Sequence, residues 1–180
     1  MMMTSGLNFG LKRSLPHMLG IGFGFGFMVL LVGLGVGALL SSSDVLFETL
    51  KVIGILYLLY LAYNIAMSGK NDMRGKADRP LSFIGAALFQ WVNPKAWIMT
   101  MGAITTYTAS SSTWGTFVAI GLIYGVVSIP CVGVWAIIGD RLQYLLKNEK
   151  LIRRFNIAMG LLLFVSVIPS AISVYEKIAH

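Results

Sequence analysis

Charged side chains are scarce in this 180-residue chain: 12% of residues are Asp, Glu, Lys or Arg, against 57% hydrophobic, with a mean hydropathy of +0.79. A soluble domain carries about 25% charged residues. Too few are present here to coat a water-facing surface, and a membrane-embedded bundle is the class that remains. Cysteine is nearly absent. A lone Cys131 excludes an internal disulfide, a CxxC redox pair and a cysteine zinc site; inside an apolar run it reads as a small packing residue. The two histidines, His17 and His180, stand near opposite ends of the chain, so no pair has metal-ligand spacing. No metal and no cofactor is expected. An enzyme is not expected either, because the apolar segments hold no paired carboxylates and no Ser–His set. No cleavable signal peptide is expected: the first long apolar run lies too deep and no small-residue cleavage site follows it. The 14 basic residues against 7 acidic ones fall between apolar segments rather than along one face. That placement speaks for membrane topology and against nucleic acid as a partner.

Five apolar segments are present, at 18–43, 45–67, 81–109, 114–139 and 155–174. They exceed strand length and lack the alternation of a barrel, so the expected fold is an all-α membrane protein, a single domain over 1–180 with five transmembrane helices. The connections sort by charge. Lys12 and Arg13 precede the first segment, and residues 41–44 after it hold no basic side chain. Residues 68–80 hold Lys70, Arg74, Lys76 and Arg79; residues 110–113 are neutral; residues 140–154 hold Arg141, Lys147, Lys150, Arg153 and Arg154. Basic and non-basic connections alternate, which places the basic ones in the cytoplasm and the C-terminus outside. Residues 140–155 read either as an amphipathic helix on the inner leaflet or as a solvated basic linker.

The third segment contains the sharpest anomaly. Lys95 sits near its middle, where a lysine costs about 2.5–3.5 kcal/mol on insertion scales. Pro94 removes a backbone donor and pushes Asn93 away from helical dihedrals, so the third helix is expected to break at Asn93-Pro94. No carboxylate lies deep in another segment to pair with Lys95. Its partner is then a freed carbonyl, water or the carboxylate of a substrate, the last favoured because the half-helix after the break turns its positive end toward an anion. Gln90, one turn earlier, supplies a neutral hydrogen bond. The structural alternative is a lysine that snorkels or pairs within the protein.

Two further patterns bear on a transport path. Gly22, Gly26, Gly33 and Gly37 form a small-residue stripe on one helix face, with Gly20 and Gly24 beside it. Such a stripe allows close helix packing, or a flexible helix lining a path. It lacks the strand and helix context of a nucleotide loop. Tyr57, Tyr60 and Tyr63 recur every three residues beside Asn64, either as interfacial anchors or, through Tyr57, as a polar lining. Glu48 and Lys51, three apart, can pair on one helix face.

Three stretches together resemble the lysine exporter (LysE/RhtB) family: SGLNFGLKRSLPHMLGIGFG (5–24), GILYLLYLAYNI (54–65) and FQWVNPKA (89–96). The likeness runs over nearly the whole chain, and PLSFIGAALFQWVNPKA (80–96) is similar to exporters of cysteine, O-acetylserine and other neutral amino acids. The resemblance implies an efflux transporter of small amino acids in the bacterial inner membrane, driven by an ion gradient, with Asn93 and Lys95 at the midplane site. Its partners would be amino acids and the lipid bilayer, and the glycine stripe suits a homo-oligomer as well as packing within the chain. Family members begin with a further helix carrying Pro-Gly-Pro, upstream of the region matching Met1–Gly10. The expectation is a gene start placed too late. The alternative reading is a non-transporting membrane scaffold, or a truncated, inactive fragment of such an exporter.

Overall fold

The computed structural model describes residues 1–36, 44–67, 79–108, 113–145 and 148–179. Among these the chain is helical, with no strand: α1 Met2–Leu31 continues into a π-helical turn Val32–Val36, followed by α2 Asp44–Met67, α3 Phe83–Val92, α4 Pro94–Tyr107, α5 Trp114–Leu145 and α6 Glu149–Ala179. Four stretches are long and apolar enough to cross a membrane, Met2–Gly35, Glu48–Met67, Trp114–Leu145 and Glu149–Glu176. The α3–α4 pair supplies a fifth, interrupted apolar path.

The interruption falls at Asn93, which has extended backbone (φ −88°, ψ 108°) between the two helices. Pro94 takes the first position of α4, where its missing N–H is no loss and its fixed φ suits the helix.

α1 begins at Met2, sixteen residues before the expected start at 18, and it is not straight. At Gly10 the backbone takes φ 77°, ψ 165°, a region open in practice to glycine alone. The hydroxyls of Ser5 and Ser14 lie 2.9 Å apart, whereas nine residues of continuous helix would separate them by about 13 Å. The 2–9 arm therefore folds back along the 11–31 arm as a helical hairpin. Lys12 and Arg13 consequently sit on α1 just past its turn rather than ahead of the helix.

Glycine brings the neighbours of α1 close. A Cβ on Gly26 would lie 2.6 Å from the Gly121 carbonyl and 2.8 Å from the Gly125 Cα of α5. Gly22 abuts Ile129 on the same helix, while Gly20 and Gly24 abut Phe83 and Ala87 of α3. Gly33 lies against Phe117 and Ile104; Gly37 falls outside the described residues. These pairings make the 11–31 arm parallel to α3–α4 and antiparallel to α5. Gly160 against Ala62 and Lys51 against Ser173 make α2 antiparallel to α6. Gly54 against Val92 and Tyr57 against Phe89 make α2 antiparallel to α3, so successive helices alternate in direction, the pattern that the loop charges lead one to expect.

Two apolar cores fill the bundle. Phe25, Met28 and Val29 of α1 and Val32 of the π-helical turn pack with Ala96, Ala103 and Ile120, and Ile55, Leu58, Phe89, Val167 and Val174 form the second core. Outward positions such as Phe23, Leu56, Ile84, Leu122 and Leu161 are large, apolar and exposed, while Ser14, His17, Gln90 and Thr100 are buried. That inversion of the soluble pattern suits a lipid surround, where outward side chains meet hydrocarbon. Cys131 is exposed on this outer face rather than packed inside. The 140–155 stretch forms no separate interfacial helix: residues up to Leu145 extend α5, and α6 starts at Glu149, with 146–147 outside the described residues.

Candidate functional site

The α3–α4 break is held by its own side chains. Asn93 Oδ1 accepts from the Lys95 main-chain N–H at 3.2 Å, and the Asn93 carbonyl accepts from Ala96 and Trp97 at 3.0 and 3.3 Å. The Trp97 indole N–H donates to the Trp91 carbonyl at 2.8 Å, one of the acceptors freed where α3 ends. Trp91 and Trp97 then meet edge to face, 6.1 Å between ring centroids. A chain that breaks a helix at membrane depth must satisfy the released groups internally, and here Asn93 and Trp97 do so. The positive end of α4 is consequently occupied in part by the Asn93 oxygen.

Beside the break lies a cavity of about 350 Å³. Trp91, Val92, Pro94, Trp97 and Ile98 form one wall; Leu50 and Lys51 of α2, with Pro169, Ser170 and Ser173 of α6, form the others. Its volume falls at the lower end of ligand pockets, suited to a small molecule. The indoles make it apolar on one side, and Lys51 with the two serines makes it polar on the other. The Lys51 ammonium donates to Ser173 Oγ at 2.8 Å and stands 4.0 Å from Glu48 Oε2. The helical spacing that pairs Glu48 with Lys51 is therefore realised, and it directs the lysine to α6. A cation held near one hydroxyl and one carboxylate, in a cavity whose facing wall carries two indoles, can bind a carboxylate.

The sequence-derived residues distribute around this cavity. Pro94 lines it. Asn93 builds the break and is half-buried. Lys95 is exposed on α4, roughly 60° around the helix from Ile98 at 100° per residue. Among the described residues its ammonium has no hydrogen-bond or ion-pair partner. Gln90 is buried, its side-chain amide donating to the Ala86 carbonyl at 3.0 Å. Tyr57 is half-buried, stacked on Tyr60 (6.2 Å) and against Phe89 (5.7 Å), apart from the cavity lining. Tyr60 and Tyr63 are exposed.

Sequence reasoning did not assemble Lys51, Ser170, Ser173 and Trp97. The available signals were a lysine inside the start of an apolar run and two serines three apart after Pro169. Neither names the helix it faces.

A family model described as LysE type translocator matches residues 1–168. No curated protein matches the chain. No solved structure matches it.

Proposed function

The chain belongs to the LysE type translocator family, and from that premise we propose that it exports small amino acids, whose carboxylate binds Lys51 in the cavity beside the α3–α4 break. In general terms it is an amino-acid efflux transporter, a multi-pass membrane protein and not an enzyme. The finer reading rests on one observation: Lys51 lines a cavity of about 350 Å³ whose opposite wall is the interrupted helix. The volume favours small substrates. Trp91 and Trp97 limit side-chain size, and Ser170 and Ser173 offer hydroxyls to the carboxylate. Lys95 and Asn93 stand one face away on the same break, with Gln90 a turn below. In this reading Lys95, exposed and uncommitted, receives the carboxylate outside the cavity and passes it to Lys51.

The bacterial inner membrane, an outside C-terminus, coupling to an ion gradient and a homo-oligomeric state belong to the same proposal. Alternating loop charge supports the orientation, and the many exposed apolar side chains are compatible with contacts between copies.

The test is efflux of labelled amino acids from proteoliposomes containing the wild type or a variant at Lys51. A charge-assisted hydrogen bond is worth about 1.5–3 kcal/mol, so Lys51→Met is expected to weaken substrate affinity about 10- to 100-fold. Lys51→Arg retains part of it, and both variants still insert. Lys95→Ala slows efflux with a smaller effect on affinity. Unchanged affinity in Lys51→Met would overturn the site, and no efflux of any amino acid by the wild type would overturn the function.

A further inference from the structure

The fold-back of α1 gathers a polar cluster that the substrate site does not use. Ser5 of the 2–9 arm meets Ser14 and His17 of the 11–31 arm, and these three and the adjacent Thr4 are buried, His17 to 3% exposure and Ser14 to 0%. Ser5 Oγ lies 2.9 Å from Ser14 Oγ and 3.2 Å from His17 Nδ1. Of the polar atoms on these four side chains, His17 Nε2 and Thr4 Oγ1 lack a hydrogen-bond partner among the described residues. Leaving a buried polar atom unpaired costs about 1–3 kcal/mol. An imidazole whose Nδ1 is tied to a hydroxyl, and whose Nε2 is open, has one nitrogen committed and one available.

Packing just past the ring is tight: a Cβ on Gly20 would meet the Phe83 carbonyl and Ala86, and one on Gly133 would meet Met18 Sδ. A proton is the smallest ligand an open ring nitrogen can take. The charged groups around the ring can be named element by element. On the 2–9 arm the Met1 ammonium bears on it. On the 11–31 arm Lys12 and Arg13 are exposed near the turn, and on α5 the carboxylate of Asp140 is engaged at that turn. Residues 83–92 of α3 hold no charged side chain. Protonation of His17 would therefore place a positive charge on the seam that holds the two arms together.

We propose that His17 is a proton-binding site of this translocator, and that its charge state sets how tightly the 2–9 arm docks on the 11–31 arm. The inference rests on the exporter reading above. In the uptake step the Nε2 lone pair forms an N–H bond with a proton from water, leaving the ring cationic with both nitrogens as donors. In the release step the same proton returns to water and the ring is neutral again. The Ser5 hydroxyl, which meets Nδ1 and Ser14 together, carries the change across the seam.

The test combines counterflow with a pH gradient in proteoliposomes. For one proton per substrate, a one-unit gradient holds the amino-acid concentration ratio about tenfold from equality. The expected result is that wild type reaches such a ratio, while His17→Gln keeps counterflow and relaxes to a ratio of one. A His17→Gln variant that still sustains the gradient-driven ratio would overturn the proposal. Absence of counterflow in the wild type would instead overturn the exporter reading, so the two failures are distinguishable. Should the variant fail to insert, the wild-type ring reports directly. The chain holds two histidines, so His180→Gln leaves a single imidazole for nitrogen NMR. That resonance is expected to titrate across the pH range in which the ratio changes. A signal constant across that range overturns the proposal.

Discussion

The main-chain N–H of Leu11 donates to Asp140 Oδ1 at 2.9 Å, across 129 residues of sequence. The same oxygen accepts from the Gln143 side chain at 2.7 Å. Leu11 is the first residue after the turn at Gly10, so its N–H starts the 11–31 arm and has no intrahelical acceptor. Asp140 supplies one from α5 and fixes the point at which the chain reverses. The hairpin is closed by side chain to backbone contact as well as by packing.

Asp140→Ala is expected to leave the Leu11 N–H unpaired and lower stability by about 1–3 kcal/mol, with Asp140→Asn milder because an acceptor oxygen remains. Gly10→Ala is expected to cost about 1–3 kcal/mol, since φ 77°, ψ 165° is closed to a side chain. Thermal unfolding in detergent measures both. Wild-type stability in Gly10→Ala would contradict the reversal at that residue.

Gly26 and Gly102 make a matched pair. The first is pressed between the Gly121 carbonyl and the Gly125 Cα, and the second has nothing within 4 Å of an added Cβ. Gly26→Ala is expected to destabilise by about 1–3 kcal/mol through overpacking against backbone. Gly102→Ala, by contrast, gains up to about 1 kcal/mol of helix propensity. The order of the two melting temperatures decides; a reversed order contradicts the α1–α5 contact.

At the break, Trp97→Phe keeps an aromatic ring against Trp91 but removes the donor to the Trp91 carbonyl. Asn93→Ala removes the cap on the Lys95 N–H, at about 0.5–2 kcal/mol. Both variants are expected to insert normally and to lose efflux, because they loosen a wall of the cavity rather than the bundle. The check is transport rate per inserted molecule. Unimpaired rates in both would separate the break from function.

Much of this architecture is readable from the residues. Runs of about twenty apolar side chains can satisfy their backbone in lipid only as helices. Pro16, Pro130 and Pro169 lie inside helices, so proline alone does not mark a break; at Pro94 the sequence adds Asn93, whose side chain caps the helix that follows. The 2–9 arm was not legible, because Met1–Gly10 is short, mixed in polarity and followed by Lys12 and Arg13. Nor was the cavity, whose walls come from residues near 50, 95 and 170, and the same holds for the meeting of Ser5 with His17.

By itself the sequence determined the all-α membrane class and pointed to the break at Asn93-Pro94, since both depend on local properties: hydropathy over a run, and an Asn-Pro pair within one. The tertiary structure alone decided which polar groups meet. It turned Lys51 toward Ser173 and left Lys95 exposed, and it folded α1 back at Gly10 so that His17 became buried beside Ser5. The reason is that a side chain's direction follows from how helices rotate and approach one another. Those rotations are set by the summed close packing of many glycines and alanines, a property of pairs of helices that no single stretch of sequence carries.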